Sequence, residues 1–267
     1  MSCINKMFDY GDWVNKLEDY SYAFSNGVPY EHCVIENFFD SETFNTLSSN
    51  FPKPESVKWD IYDNPIEKKW AFKDFEPNSL YSKLVSKLNS TESLEIWKTI
   101  SSISNLEEDP YMNGAGAHYH PTNTKLDLHL DYSIHPITGK ERRLNLIYFL
   151  NEEWKQEWNG ALELWNDIDS KPKECVTRIY PKPNSAVLFK TSDISIHGLP
   201  DDIRCPNTIG RKTFAIYFVS EPKEGTVVRK KAEFFPKPEQ IVSPYLQRLY
   251  DIRKIRRIEK HDLEYSQ

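Results

Sequence analysis

Between Asp109-Pro110 and Val219 the chain breaks into short apolar stretches separated by Gly, Pro, Asn and Asp. They lie around Tyr119, at Lys125 to Ile134, Arg143 to Leu150, Ala161 to Trp165, Cys175 to Tyr180, Ala186 to Lys190 and Lys212 to Val219. Runs of this length, closed off by turn formers at regular spacing, are those of an all-β sandwich or barrel. No internal repeat and no low-complexity tract accompanies them.

The flanks read differently. Residues 1–28 are polar with scattered aromatics. Tyr30 to Phe39 reads as a strand running into a turn. Asp40 is a candidate N-cap for a helix over Ser41 to Ser49, which Pro52 and Pro54 end. Residues 55–77 read as irregular, with Trp59, Trp70 and Phe72 packing. Leu80, Leu84 and Leu88 mark one helix face, and Leu94, Trp97, Ile100 and Ile103 another. From Pro222 the chain is charged. Leu246, Leu249, Ile252, Ile255 and Ile258 then recur at helical spacing, with the basic run Arg253 to Arg257 as the wet face. This C-terminal helix is expected on the domain or on a second subunit, so oligomerisation through it is open. The expected organisation is an N-terminal strand-and-helix segment (1–108), a β core (109–221) and a charged linker with an amphipathic helix (222–267).

Composition excludes several classes. At 39% hydrophobic and 13% aromatic residues, the 267-residue chain can bury a core. A net charge of -6 argues against a general nucleic-acid binder, although a local basic pocket could still take an anionic small substrate. Cys3, Cys33, Cys175 and Cys205 are scattered with no Cys-x-x-Cys pair, which disfavours a cysteine zinc site and suits a reduced cytosolic setting. The N-terminal MSCINKMFDYGDW has no apolar signal core, and Leu146 to Leu150 is too short to cross a bilayer. A cytoplasmic protein with no membrane or nucleic-acid partner is expected.

The chemistry is expected within LDLHLDYSIHPITGKERRLNLIYFL, Leu126 to Leu150. In a strand, His129 and Asp131 look the same way. An imidazole and a carboxylate presented together are two of the three ligands of a 2-His-1-carboxylate face. His197 follows the apolar strand Ser185 to Lys190 after a short polar loop, 197 − 131 = 66 residues beyond the aspartate. A jelly roll could return there to its first ligands. Arg211 and Thr213 open another strand, side by side on one face, and could bind a carboxylate through a charge-assisted pair. Alternation places Arg211 with Thr213, Ala215 and Tyr217 inside, and Lys212 with Phe214, Ile216 and Phe218 outside. The Tyr119 hydroxyl could reach the same anion.

Together these residues resemble the Fe(II)/2-oxoglutarate-dependent dioxygenases, in particular the prolyl 4-hydroxylase-like branch. The resemblance runs from about Gly114 to Ser220. It rests on HLDYSIHPITGKERRLNLIYFLNEEW, NGALELW (159–165), PKPNSAVLFKT (181–191), ISIHGLP (194–200) and RKTFAIYF (211–218), in that order. It implies a mainly β fold, a double-stranded β-helix (jelly-roll) core with helices packed outside. It makes His129, Asp131 and His197 the iron ligands. It makes Arg211 the partner of the distal carboxylate of 2-oxoglutarate, with Thr213 and Tyr119 assisting. Asn145, Ile147 and Phe149 alternate along one strand and would line the co-substrate pocket. The implied cofactors are Fe(II), 2-oxoglutarate and O2, with ascorbate as a helper. The implied reaction hydroxylates a C–H bond of a small-molecule or peptidyl substrate with release of succinate and CO2. Three departures stand out. Arg211 stands where prolyl hydroxylases often have Lys, Asn159-Gly160 replaces a glycine pair, and Phe149 stands where some relatives place Tyr.

Two rival readings are carried. His118-Tyr119-His120 is also a His-x-His on a strand, as in metal-binding cupins, although no Glu follows it closely. A jelly roll can also be a non-catalytic binding module, since fold does not fix function. His135, Asp127 and Arg142-Arg143 are read as solvated loop or rim residues rather than catalysts, with Arg142 or Arg143 as a candidate to steer an acidic substrate.

Overall fold

The computed structural model describes residues 8–264. Cys3 and the first seven residues of the segment scanned for a signal core lie outside them. Among the described residues, thirteen strands form one curled antiparallel sheet. They are β1 (His32–Ile35), β2 (Asp60–Asn64), β3 (Glu67–Phe72), β4 (Glu107–Glu108), β5 (Gly116–His120), β6 (Leu126–Leu130), β7 (Glu141–Phe149), β8 (Leu162–Ile168), β9 (Lys171–Ile179), β10 (Ala186–Lys190), β11 (Ile196–Leu199), β12 (Arg211–Ser220) and β13 (Glu233–Phe235). The helices are α1 (Leu17–Ser25), α2 (Ser41–Ser49), α3 (Leu80–Leu88), α4 (Thr91–Ser101) and α5 (Pro244–Ile255).

The strand order is β1-β10-β7-β12-β5-β3-β6-β11-β8-β9. Its two halves fold over each other, because Phe149, Val187 and Phe189 from β7 and β10 pack on Leu162, Leu164 and Ile179 from β8 and β9. That is the expected jelly roll. Alternation explains the layers. Leu144, Leu146 and Tyr148 of β7, with Phe214, Ile216 and Phe218 of β12, turn outward and bury against Tyr81, Leu84, Trp97 and Ile100 of α3 and α4. The intervening residues turn inward, toward the site.

Where local signals are strong, the elements fall as expected. Asp40 caps α2 by accepting the Thr43 N–H at 2.7 Å. Ser79 and Ser90 cap α3 and α4 in the same way, the role hydroxyl side chains play at helix N-termini. Two stretches differ. Residues 12–25, read only as polar with scattered aromatics, form a 3-10 turn and α1, held by Trp13 stacking on Phe38 and Trp97. Residues 60–72 form the β2–β3 hairpin rather than irregular structure, and β3 joins the main sheet between β5 and β6. Its pattern was masked because Glu67 is buried there, matched by Arg253 of α5 at 2.8 Å.

The C-terminal helix packs on the domain, one of its two expected placements, but differs in detail. Leu249 and Tyr250 of α5 pack on Ile66, Leu126, Leu199 and Phe234 of the same chain. Ile255 is exposed instead. The basic run is no simple wet face: Arg253 pairs with Glu67, Arg256 with Asp262 and Arg257 with Asp60. No helix among the described residues is long and apolar enough to cross a membrane.

Candidate metal centre and co-substrate pocket

His129 lies on β6, and Asp131 is the first residue past that strand. His197 on β11 stands directly opposite His129 in the antiparallel ladder, so the fold closes the 66-residue gap. One ligand atom from each of the three side chains lies within 4.8 Å of the others. His129 Nε2 is 3.9 Å from Asp131 Oδ1, and His197 Nε2 is 3.6 Å from Asp131 Oδ2. All three side chains are buried.

The hydrogen bonds set the tautomers. His129 Nδ1 lies 2.9 Å from the Asp127 carbonyl, and His197 Nδ1 lies 2.8 Å from the Ser195 carbonyl. A carbonyl only accepts, so each Nδ1 carries the proton and each Nε2 keeps its lone pair toward Asp131. Burial, reinforced by neighbouring His197, pushes the His129 imidazole down to about 3. Burial also lowers His197, against the opposing pull of Asp131. Both rings are therefore neutral at physiological pH, as metal ligation requires. Burial would raise the Asp131 carboxyl, but Arg142, the two histidines and Asn145 outweigh it and hold it below the usual carboxylate range.

Arg142 is the residue that sequence reading misplaced. It is buried, not solvated. Its Nη2 lies 3.2 Å from Asp131 Oδ2, its Nε donates to Asn145 Oδ1 at 2.8 Å, and its guanidinium carbon sits 3.2 Å from the Tyr217 ring centroid. Asn145 in turn donates to Asp131 Oδ2 at 2.8 Å. The cause is a register shift: Phe218 pairs with Leu144 but Val219 pairs with Arg142, which leaves Arg143 as an extra residue on β7. Such a bulge reverses the alternation, so Arg142 joins the face of Asn145. No local sequence signal announces it. The rim reading of His135 and Asp127 is corrected too. Both are buried: His135 faces Asp109 at 3.2 Å, and Asp127 accepts the Tyr250 hydroxyl at 2.7 Å.

On β12, Arg211 and Thr213 turn inward and Lys212 outward. Arg211 is 2% exposed. Its Nε donates to the Gly160 carbonyl at 2.8 Å, and it lies 5.2 Å from the Phe149 ring centroid. No carboxylate among the described residues pairs with it, and burial pushes its guanidinium down to about 9. A buried cation in that state is matched to an incoming anion. Gly160 has a φ of +74°, and a Cβ there would sit 3.3 Å from Arg211 Cδ. Asn159 before it also adopts a positive φ, 58°, so the Asn-Gly turn is kept. Asn145, Ile147 and Phe149 share the inner face, opposite Tyr217, Ala215 and Thr213.

Tyr119 is a correction. It pairs with Lys212 and Trp70, hence on the outer face, where its ring packs among Phe51, Trp59 and Trp70. Its neighbour His120 stands opposite Arg211 instead, buried, with Nδ1 lacking a hydrogen-bond partner among the described residues. The parity of β5 against β12 was the signal that could have found it. His118 likewise faces inward, opposite Thr213. The three-residue group able to hold a metal among the described residues is His129, Asp131 and His197, with neither His118 nor His120 in it. Phe234 of β13, from the segment read only as charged linker, lies opposite His129 and stacks on its ring at 4.9 Å.

Residues 115–228 match the family model for the 2OG-Fe(II) oxygenase superfamily. The chain is 27% identical over 179 residues to the prolyl 3-hydroxylase OGFOD1 of Mus musculus, a match covering 63% of this chain and 29% of that protein. It is 28% identical over 184 residues to the Xenopus laevis protein of the same name, covering 64% of this chain and 32% of that one. It thus spans about a third of the length of these relatives. A Pseudomonas putida prolyl-4-hydroxylase structure superposes with a TM-score of 0.53 at 11% identity, over 76% of this chain and 100% of that one. That likeness is one of fold. Over residues 115–228 the chain carries a 2OG-Fe(II) oxygenase domain, built on the jelly roll of the prolyl 4-hydroxylases.

Proposed function

We propose that this protein is an Fe(II)/2-oxoglutarate-dependent dioxygenase that hydroxylates a C–H bond of a prolyl residue or a related peptidyl group. The observation that carries this reading is the pair of neutral imidazoles, each with Nδ1–H tied to a main-chain carbonyl and Nε2 turned toward Asp131. Two neutral nitrogens and one carboxylate are the facial donor set of a non-haem Fe(II) centre, with positions left open. The prolyl hydroxylase relatives support the prolyl part of the reading.

Bound Fe(II), with 2-oxoglutarate and O2, supplies the oxidative decarboxylation to succinate and CO2 and the oxygen atom delivered to the substrate. The chain supplies everything else. His129, Asp131 and His197 hold the metal. Arg142 and Asn145 occupy Asp131 Oδ2 and so orient the carboxylate, as outer partners of metal ligands do. Arg211 receives the distal carboxylate of 2-oxoglutarate through its planar fork. Thr213 shares that face, and His120, rather than Tyr119, stands beside them. Ile147 and Phe149 line the pocket and exclude water.

The test is turnover. Purified protein with Fe(II) and O2 should convert 2-oxoglutarate to succinate slowly, and faster with a prolyl-containing peptide that takes up oxygen from labelled O2. Asp131→Ala should abolish both. Metal and 2-oxoglutarate binding without any succinate would favour the binding-module reading.

A further inference from the structure

Beside the triad, on the side away from Arg211, lies a cleft of about 100 Å³ whose wall includes Arg142, Arg143, Lys190, Lys223 and Arg229. The β7 bulge builds it. By turning Arg142 onto Asp131, the extra residue leaves the adjacent Arg143 on the wall of this cleft.

Three of the five cations are matched: Arg142 by Asp131, Lys190 by Glu31 and Arg229 by Asp193. Two are not. Arg143 is buried, yet Nη1 donates only to the Ser220 hydroxyl at 2.8 Å. It forms a long ion pair with Glu141, 3.9 Å from Nε, beyond hydrogen-bond reach. Lys223 has no ion pair among the described residues, and Glu141 instead accepts its backbone N–H and the Thr226 hydroxyl. Burial lowers the Arg143 guanidinium. Burial, then Arg143 and Lys190, lower the Lys223 ammonium. Five cations thus face four carboxylates here, Asp131, Glu31, Asp193 and Glu141, the last two also on the wall, which leaves one surplus positive charge in a chain of net charge -6. A buried guanidinium whose carboxylate stands beyond hydrogen-bond reach is stabilised by an anion that enters and bonds to it directly.

The cleft adjoins the reaction centre. Arg229 Nε donates to the Asp131 carbonyl at 3.1 Å, and the Thr191 hydroxyl, also on the wall, donates to Asn145 Oδ1 at 3.3 Å. We propose that this cleft is an oxyanion subsite, which takes a carboxylate or phosphate borne by the substrate and so seats an anionic substrate beside the triad. The inference rests on the oxygenase reading above for what happens next to the subsite, but not for the binding itself.

The experiment is an NMR titration of the arginine Nε–Hε signals in the Zn(II)-loaded full chain, with 2-oxoglutarate saturating so that Arg211 is occupied. One arm adds inorganic phosphate. A second adds acetyl-glutamyl-proline amide, with its glutaminyl counterpart as control. Sodium chloride at matched ionic strength controls for screening. Phosphate should shift Arg143 and Arg229 saturably where chloride does not. Lys223→Ala should weaken this by about threefold, as for an exposed charge, and Arg143→Met by at least about tenfold, as for a buried one. Binding of the glutamyl but not the glutaminyl peptide assigns the oxyanion to an acidic residue, and binding of phosphate alone assigns it to a phosphate-bearing substrate. Lack of saturation in both arms, or saturation indifferent to Lys223→Ala and Arg143→Met, overturns the proposal and leaves a salt-bridged wall. Failure of 2-oxoglutarate to shift Arg211 would count against the oxygenase reading alone.

Discussion

Asp131 is the only anionic member of the triad, and two neighbours are committed to one of its oxygens. Asp131→Ala should therefore cost most of the metal affinity, read by calorimetry with Mn(II), whereas Asn145→Ala should weaken it less by freeing the carboxylate to rotate. Equal affinity in wild type and Asp131→Ala would remove the triad as the metal site. Arg211 and Lys212 differ by face, not by charge. Losing a buried hydrogen-bonded charge pair costs about 2–5 kcal/mol, so Arg211→Ala should raise the KM for 2-oxoglutarate well over tenfold while sparing metal binding. Lys212→Ala and Tyr119→Phe should change it little. The histidines also predict a pH dependence. The His129 pKa is near 3 in the fold against 6.5 unfolded, so between these values the unfolded chain holds a proton that the folded chain lacks. Stability of the metal-free protein should fall as pH drops below about 6.5, with a slope approaching roughly 1.4 kcal/mol per pH unit for one such proton. His197, lowered in the same direction, adds to it. Urea midpoints measured at descending pH should fall in the wild type and flatten in His129→Gln.

At the scale of elements, β6 is the strand on which the others converge. β11 brings His197 to it on one side. β13 brings Phe234 to it on the other, and Arg253 of α5 lies over that ring at 4.9 Å. The layers Arg253, Phe234 and His129 thus form one stack, anchored at its far end by buried Glu67. Tyr250 holds the side chain of Asp127, whose carbonyl fixes the His129 tautomer. Phe234→Ala should lower metal affinity and broaden the absorption bands of the Co(II) form, whereas Phe234→Tyr or Phe234→Leu should largely restore them. An unchanged Co(II) spectrum in Phe234→Ala would reduce the stack to packing. Arg253→Met leaves Glu67 with Lys69, 3.3 Å away, as its one cation among the described residues. Breaking a buried pair typically costs about 3–5 kcal/mol, and the remaining lysine should keep the loss toward the lower end, measured as a urea midpoint shift.

For the whole molecule, the oxygenase domain and the flanks share one sheet and one set of cores. Ile66, Leu126 and Leu199 are covered by Phe234, Leu249 and Ile258, so the apolar back of β6 is finished by chain beyond residue 228. A chain stopped after residue 228 should expose that surface, aggregate, and lose metal affinity together with solubility. Size-exclusion chromatography alongside Mn(II) titration would check it. A monodisperse, metal-competent truncation would show that the C-terminal segment is dispensable.

Local and periodic information was enough for much of this. An all-β sandwich or barrel followed from short apolar runs between turn formers and its jelly-roll form from the family resemblance, the capped helix at Ser41–Ser49 from Asp40, and the inward face of β12 from simple alternation at Arg211 and Thr213. The pairing of His129 and Asp131 was legible because a two-residue spacing is a local fact. What tertiary structure alone decided has a different physical origin. Arg142 reached Asp131 because a bulge reversed strand parity, and a bulge is set by the ladder partner β12 rather than by β7 itself. His120 displaced Tyr119 because only the pairing of β5 with β12 says which of two adjacent residues faces in. The β2–β3 hairpin and the basic run of α5 each looked polar in isolation. Glu67 and Arg253 made both buriable by finding one another across 186 residues, a compensation of charge that no local window contains.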